Sequence, residues 1–593
     1  MHIKDNHTSS VSQFTPTSAA TRGLKMDLSL ALHMLLLCSL NAVVLGCPDQ
    51  CKCQHTKIFC SGLSDFPTAL PPSTNNLQFS DCSFYSLKPE DMTDVSNALI
   101  TFVIKDSGLR EVRPGTFDST LNIAAMLLSG TLLQDLPETV FQNLQKVETL
   151  HLKSNKLQVL RPSWFSSLTA LRILDLSKNL FTAVPTETFH PLTNLDYLSL
   201  SGNNIRQLSN ETFKGLSTLR TLRLNKNSLQ ELPLGSLDDL ENLVELSLQD
   251  NQITHLHRDL FAKTLKLQKL FLSHNKLTSF PQGIFLNLPL LSQISLYENQ
   301  LETLSPGVFG RMALQELWLY DNKLSRVEDD TFRNLTQLRL LVISRNQINY
   351  VSTRAFRGLE KVGEISLHTN LLTTLQAGTF QGLPSLVNIS LEHNFIKSLP
   401  SGFLQGVTHI GQIDLQNNSL PNLPQESLDA LTLVDEVLLQ HNPWRCDKDI
   451  LPLRDWLRKY PSKANQTLVV CKTPFRLSDE AIALLDDANL MALSSTEEPV
   501  LTSTKKKGIL STPPTSHSTL SPIKTTAHSM HEEVTDRGQG ETGRVSDNIS
   551  TIIIIIAVVS TVIISTVIAS YLCWRKNRRG RGDIGRRNKN SVL

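Results

Sequence analysis

Residues 147–157 read VETLHLKSNKL, and the pattern inside them, L-x-x-L-x-L-x-x-N-x-L, decides the fold because it returns almost without change of phase. The asparagine of this copy is Asn155, and the same slot holds Asn179, Asn203, Asn227, Asn251, Asn275, Asn299, Asn322, Asn346, Asn370, Asn394, Asn418 and Asn442, at steps of 24 residues with a single step of 23 into Asn322. Counting backwards, the slot passes to Thr131, Ser107 and, 25 residues earlier, Cys82, so sixteen copies are legible. The apolar alternation at the centre of each copy predicts a short strand whose alternate side chains point inward. One such unit cannot bury its apolar edge alone, so the copies must stack. Strands paired in parallel at about 4.8 Å give an inner sheet on the order of 70 Å long. The slot residue follows the strand, where the bending chain leaves backbone N–H and C=O groups unpaired, and a side-chain amide there can both donate and accept. Thr, Ser and Cys meet that demand only in part.

Period and spelling together resemble the leucine-rich repeat. The resemblance implies an α/β solenoid, a horseshoe with a parallel inner sheet, whose variable strand residues form a concave ligand face. Ten residues past the slot, most copies carry a phenylalanine: Phe117, Phe141, Phe165, Phe189, Phe213, Phe261, Phe285, Phe309, Phe332, Phe356 and Phe380. These are expected to stack as an inner spine, a packing role rather than a binding one.

The flanks predict an exported, membrane-anchored chain. Residues 1–46 read as a signal peptide: Lys4, Arg22 and Lys25 precede an apolar run, and Val44 and Gly46 suit signal peptidase. Translation could begin at Met1 or Met26. Residues 47–76 hold Cys47, Cys51, Cys53 and Cys60. Four cysteines allow three pairings, and joining Cys51 to Cys53 across one residue is strained, which leaves two; a zinc site is the rival use. The stretch resembles the N-terminal cap of extracellular leucine-rich repeat proteins, and that resemblance implies Cys47–Cys53 with Cys51–Cys60. Cys82 sits in a slot and reads as a buried thiol. The repeats span 77–442 and a second cap spans 443–492, beginning NPWRCDKDILPLRDWL and closing at Cys471. It resembles the C-terminal cap of the same proteins, which implies that Trp444 and Trp456 cover the last repeat. Most such caps carry C-x-C, whereas Lys448 stands at the second position here and leaves Cys446 and Cys471 as the only pair.

Residues 493–548 are rich in Ser, Thr and Pro and read as an O-glycosylated stalk. Residues 549–574 contain an uncharged run from Ile552 to Trp574, long enough to cross about 30 Å of hydrocarbon. Eight basic residues against Asp583 in the tail, 575–593, place that tail in the cytoplasm and the solenoid outside. Cys573 is a candidate for palmitoylation, and Ser591-Val592-Leu593 matches a C-terminal PDZ ligand. Arg581-Gly582-Asp583 spells an integrin tripeptide on the wrong side of the membrane and reads as coincidence. Candidate N-glycosylation sites are Asn210, Asn334, Asn388, Asn417 and Asn465, of which Asn388 would put a sugar on the concave face.

The chain holds 57 basic and 55 acidic residues, but without the leader and tail the balance is 46 against 52. A slightly acidic exterior gives no support to a nucleic-acid role, since phosphate binding needs a basic face. Enzymatic chemistry finds no support: no strained G-x-S-x-G turn is spelled out, and the pairs His255/His257 and His368/His393 lack a third metal ligand. No cofactor and no metal is expected. What the concave positions do carry is an aromatic cluster, Phe271, Tyr297, Trp318, Tyr320 and Val342, rimmed by His274, Glu298, Asp321 and Arg345. Exposed rings in adjacent repeats form a contiguous apolar patch with a charged rim, the make-up of protein-binding hot spots. The expectation is a single-pass type I cell-surface adhesion or receptor protein at the plasma membrane. The resemblance to cell-surface members of the family implies matrix partners such as collagen, fibronectin or laminin. Two further settings implied by related members are a subunit of a platelet or thrombocyte adhesion receptor and a secreted scaffold subunit of an enzyme complex.

Overall fold

The computed structural model describes residues 47–491. The leader, the stalk, the apolar span with Cys573, the basic tail and the C-terminal tripeptide lie outside the described residues. Among the described residues, no helix is long and apolar enough to cross a membrane.

Every repeat contributes one strand to a single eighteen-stranded sheet. The first two strands, Cys51–Gln54 and Lys57–Ser61, form an antiparallel hairpin, and from there on each strand pairs in parallel with the next. The register never slips: Leu150, Leu174, Leu198, Leu222, Leu246, Leu270, Ile294, Leu317, Leu341, Ile365, Ile389 and Ile413 face one another in a row. That row is buried, together with the residues two places on, such as Leu152 and Leu296. A one-residue slip would turn each such row to solvent, which is why the in-phase apolar spelling enforces the register.

The slot residues meet the expected demand. Asn299 Nδ2 donates to Leu272 O at 3.0 Å and Leu296 O at 3.1 Å, while its Oδ1 accepts from Leu277 N at 3.1 Å. One side chain thus joins its own strand end to two points on the preceding repeat. The arrangement recurs through Asn442, whose Nδ2 donates to Leu415 O and Leu439 O and whose Oδ1 accepts from Leu420 N. Ser107 does less: its Oγ accepts from Cys82 N at 3.1 Å and donates to Lys105 O at 2.8 Å. Cys82 is a free, buried thiol whose Sγ lies 3.3 Å from Ser80 O.

Behind the sheet, the phenylalanines stack. Successive rings from Phe285 through Phe309, Phe332 and Phe356 to Phe380 lie 5.9–6.4 Å apart at angles of 5–26°. Leu237 interrupts the run between Phe213 and Phe261. The helical half of the α/β expectation is slight: outside the main sheet the repeats hold turns, two short parallel strand pairs (Ser86–Leu87 with Glu111–Val112, Arg326–Val327 with Tyr350–Val351), the 3-10 segments Pro89–Met92 and Pro162–Trp164, and one α-helix, Gln425–Leu431. The few residues between a spine Phe and the next strand, as from Phe285 to Gln293, are too few for a helix of several turns.

The 23-residue repeat takes up its missing residue on the convex side. Gly310 lies against the previous repeat so closely that a Cβ there would sit 2.6 Å from Leu286 O and 2.7 Å from Leu286 Cα. The ladder adjusts without loss, since Asn322 Oδ1 accepts from Leu301 N at 3.0 Å.

Three disulfides close the ends: Cys47–Cys53 and Cys51–Cys60 in the first cap, and Cys446–Cys471 in the second. The N-terminal pairing is the one the family resemblance implied, and it uses the sulfurs that a zinc site would need. In the second cap Trp444 is buried, with Nε1 donating to Leu439 O, and Trp456 is buried on the helix Leu451–Lys459. The same helix holds the last described segment through Arg458, whose Nε donates to Ala483 O at 2.6 Å, and through the buried Arg454, paired with Asp455 and Asp487.

Replacing Asn299 by Leu strands at least two carbonyls and one N–H in the interior, each costing about 1–3 kcal/mol. The variant is expected to lose more than about 3 kcal/mol and to open locally; full-length chain that resists heat and limited proteolysis as the wild type does would refute the ladder account. Gly310→Ala is expected to lower the melting temperature by several degrees, because the Leu286 backbone cannot retreat without disturbing the next strand.

Candidate ligand-binding face

The variable positions follow from the register. Four places before the slot, neighbouring strands present Ser247, Phe271, Ser295, Trp318 and Val342 side by side. Two places before it stand Gln249, Ser273, Tyr297, Tyr320 and Ser344. The structure therefore brings together the aromatic residues that the sequence singled out. Tyr297 and Tyr320 stack at 4.6 Å and 6°, Trp318 meets Tyr320 edge-on at 6.2 Å, and His274 meets Tyr297 edge-on at 5.4 Å. Arg345 covers the cluster at one end, with Cζ 5.5 Å from the Tyr320 ring and Nε donating to Asp321 Oδ1 at 2.7 Å.

The cluster differs from expectation in one respect. Phe271, Tyr297, Trp318, Tyr320 and Val342 are half-buried rather than exposed, because the rings shield one another. Such mutual packing holds each ring in place before any partner arrives, which lowers the ordering cost of binding. Burial, with the neighbouring Tyr297 and Glu298, also raises the Tyr320 phenol above its usual range, so the ring stays neutral.

Sequence reasoning missed two members. Glu316 begins the strand Glu316–Trp318, and its Oε2 accepts from Trp318 Nε1 at 3.2 Å. Gln249 lines the same hollow of about 340 Å³ as Phe271, Ser295, Tyr297 and Trp318, and its Oε1 is buried without a hydrogen-bond partner. Both could have been found from the slot numbering alone, since Glu316 lies six places before Asn322 and Gln249 two places before Asn251. A roomier hollow of about 640 Å³ lies at the second cap, beside Asn418, His441 and Asn442. Its ladder amides are already bonded to backbone, which leaves little chemistry to offer a ligand.

The histidines that the sequence singled out have other partners. His255 pairs with Glu231 at 3.2 Å, His257 Nδ1 accepts from Asp259 N, and His368 lies 4.0 Å from Glu392. Among the described residues, no three His, Cys, Asp or Glu come close enough to hold a metal ion. The candidate glycosylation sites divide. Asn210 and Asn465 are exposed, whereas Asn334 Nδ2 is engaged with Phe309 O at 2.9 Å. Asn388 begins a concave strand and Asn417 adjoins the slot of the next repeat, so both lie on the C-terminal side of the aromatic cluster.

A family model described as "Leucine rich repeat" matches nine overlapping segments that together run from 122 to 443. The chain belongs to the leucine-rich repeat family. Among curated proteins it is similar to Reticulon-4 receptor-like 2 of Rattus norvegicus, 30% identical over 124 residues, which is 20% of this chain and 29% of that relative. The chain thus spans less than a third of the curated relative it matches. Among solved structures it is similar to a chain of the octameric complex of Latrophilin 3, Unc5D and FLRT2, at 27% identity, covering 52% of this chain and 94% of that one with a TM-score of 0.44. It is also similar to a leucine-rich repeat protein of Leptospira interrogans, at 24% identity, covering 68% and 93% with a TM-score of 0.48.

Two concave histidines of this leucine-rich repeat chain give its stability a pH dependence. Burial holds the imidazoles of His151 and His368 below their ordinary range, aided by Lys153 in the first case and by Arg345 and His393 in the second. The unfolded chain therefore takes up protons first, and stability is lost as pH falls from about 6.5. Burial, with Asp414 nearby, raises Glu392, and that shift acts in the opposite direction. Between about pH 7 and about pH 5.5 the melting temperature is expected to fall, and to fall less in a His151→Gln/His368→Gln variant; identical slopes in thermal melts would refute the assignment.

Proposed function

We propose that the chain is a single-pass type I cell-surface adhesion or receptor protein that binds an extracellular protein through the concave face, with no catalysis of its own. The observation that carries this reading is the interlocked aromatic cluster at the middle of the sheet, on a face where Ser, Gln, Asp and Lys hold many of the other variable positions. Disulfides at both ends support an oxidising, extracellular setting. The apolar run Ile552–Trp574 with the basic tail after it supports the anchor and its orientation. Sugars on Asn388 and Asn417 would screen the C-terminal third of the concave face and leave the cluster open.

The partner is an extracellular matrix protein of the collagen, fibronectin or laminin kind, and the role is cell–matrix adhesion and migration. This finer reading rests on the second cap, where NPWRCDKDILPLR, with Lys448 in place of a second cysteine, resembles leucine-rich repeat-containing protein 15 more than platelet glycoprotein V. The Reticulon-4 receptor-like relative supports a receptor role at the coarser level.

Cells displaying the full chain are expected to capture labelled collagen, fibronectin or laminin, and the double substitution Trp318→Ala/Tyr320→Ala is expected to weaken that capture at least about tenfold. Surface expression should be unchanged, since neither ring belongs to the buried core. Undiminished capture by the variant, or no capture of these three by the wild type, would remove the reading.

A further inference from the structure

The middle of the aromatic cluster is a slot. Phe271 and Trp318 occupy the same strand position two repeats apart, and the residue between them is the small Ser295. With strands about 4.8 Å apart, the two side chains leave the sheet about 10 Å from each other, which leaves room for a planar side chain between them. Tyr297, held by its stack on Tyr320, closes one end. Among the polar groups that line this space, two acceptors stand out: the buried Gln249 Oε1 has no hydrogen-bond partner, and the Glu316 carboxylate, which accepts from Trp318 Nε1, has no cationic partner among the described residues.

Charge around the slot sharpens the point. The basic side chains near it already have acids of the same face: His274 lies 2.8 Å from Glu298, Arg345 pairs with Asp321, and Lys269, 3.9 Å from Glu245, shares that carboxylate with Arg223 at 2.9 Å. Glu316 has no ion-pair partner among the described residues. A ligand that meets both acceptors donates hydrogen bonds and carries positive charge, and a flat one suits the space between the two aromatic side chains.

Resting on the adhesion reading above, we propose that the slot between Phe271 and Trp318 takes an arginine side chain of the partner protein. Its guanidinium is planar, stacks on aromatic faces and offers five N–H donors, enough to reach Gln249 Oε1 and the Glu316 carboxylate together. An ammonium group lacks the flat shape that the gap selects, and an anionic or neutral aliphatic side chain would leave both acceptors unmet. The arginine is the anchor of the interface, and the paired charges around it form the rim.

The full-length chain, purified in a non-ionic detergent, can be titrated with arginine amide, lysine amide and the neutral isostere citrulline amide, with Trp318 fluorescence read as the difference from a Trp318→Phe variant. Arginine amide is expected to bind at least tenfold more tightly than either other probe, and Glu316→Gln to abolish that preference while the melting temperature holds. Equal response to citrulline amide or lysine amide, or an unchanged preference in Glu316→Gln, would overturn the arginine assignment. Matrix capture distinguishes this failure from failure of the broader reading. If Trp318→Ala/Tyr320→Ala loses capture while Glu316→Gln keeps it, the face binds but arginine is not its anchor; if neither loses it, both readings fall.

Discussion

One side-chain amide bonded across two repeats is the constraint on which the molecule depends. Each ladder asparagine spends its donors on the carbonyls that end its own strand and the previous one, and its acceptor on the N–H that begins the next turn back. No side chain of another shape offers two donors and an acceptor at that reach, which ties the repeat length to the geometry of a single residue type. The tolerance for change lies on the convex side. When one residue is missing before Glu316, the chain closes the difference at Gly310 against Leu286, and the strands on the concave side keep their register.

Because the register is fixed, the ligand face is assembled by position rather than by sequence proximity. Phe271, Ser295 and Trp318 are spread over 48 residues of chain yet lie side by side, and Tyr297 meets Tyr320 for the same reason. The leucines between them are committed to the core, so the face draws only on the variable positions. That separation lets the surface change from serines to stacked rings, and from rings to matched ion pairs, without touching the interior.

Much of this was legible in the chain. The slot series Asn155 to Asn442 gave the strands, their parallel order and the residues of the face, because an in-phase period leaves only one way to stack. The Phe285–Phe380 spine was equally plain. Three things were not. Convex geometry depends on turn closure over a few residues, where apolar spacing is silent, so the scarcity of helix and the role of Gly310 emerged only in three dimensions. The mutual shielding of Tyr297, Trp318 and Tyr320 depends on rotamers that no pattern states. The unpartnered acceptor on Gln249 is a deficit, and a deficit shows only once all possible partners have been placed.

Backbone geometry links the ladder to the ligand face more tightly than register alone. The residue just before each slot is left-handed: His274, Glu298, Asp321 and Arg345 have φ of 53°, 52°, 53° and 51°. This reversal is what turns the ladder amide inward, and the side chain before it is carried outward to the rim in the same step. Holding a non-glycine residue there costs about 1–2 kcal/mol, so the rim charges sit in conformations that glycine would adopt more cheaply. Gly202 and Gly130 occupy the same position elsewhere, with φ of 66° each. Non-glycine residues hold this position in most repeats, from Asp81 to His441, so the cost is met along the whole ladder and what is particular to the aromatic repeats is the charge these residues carry to the rim. The ion pairs His274–Glu298 and Arg345–Asp321 each join neighbouring left-handed residues, so the strained turns and the rim of the ligand face are one structure.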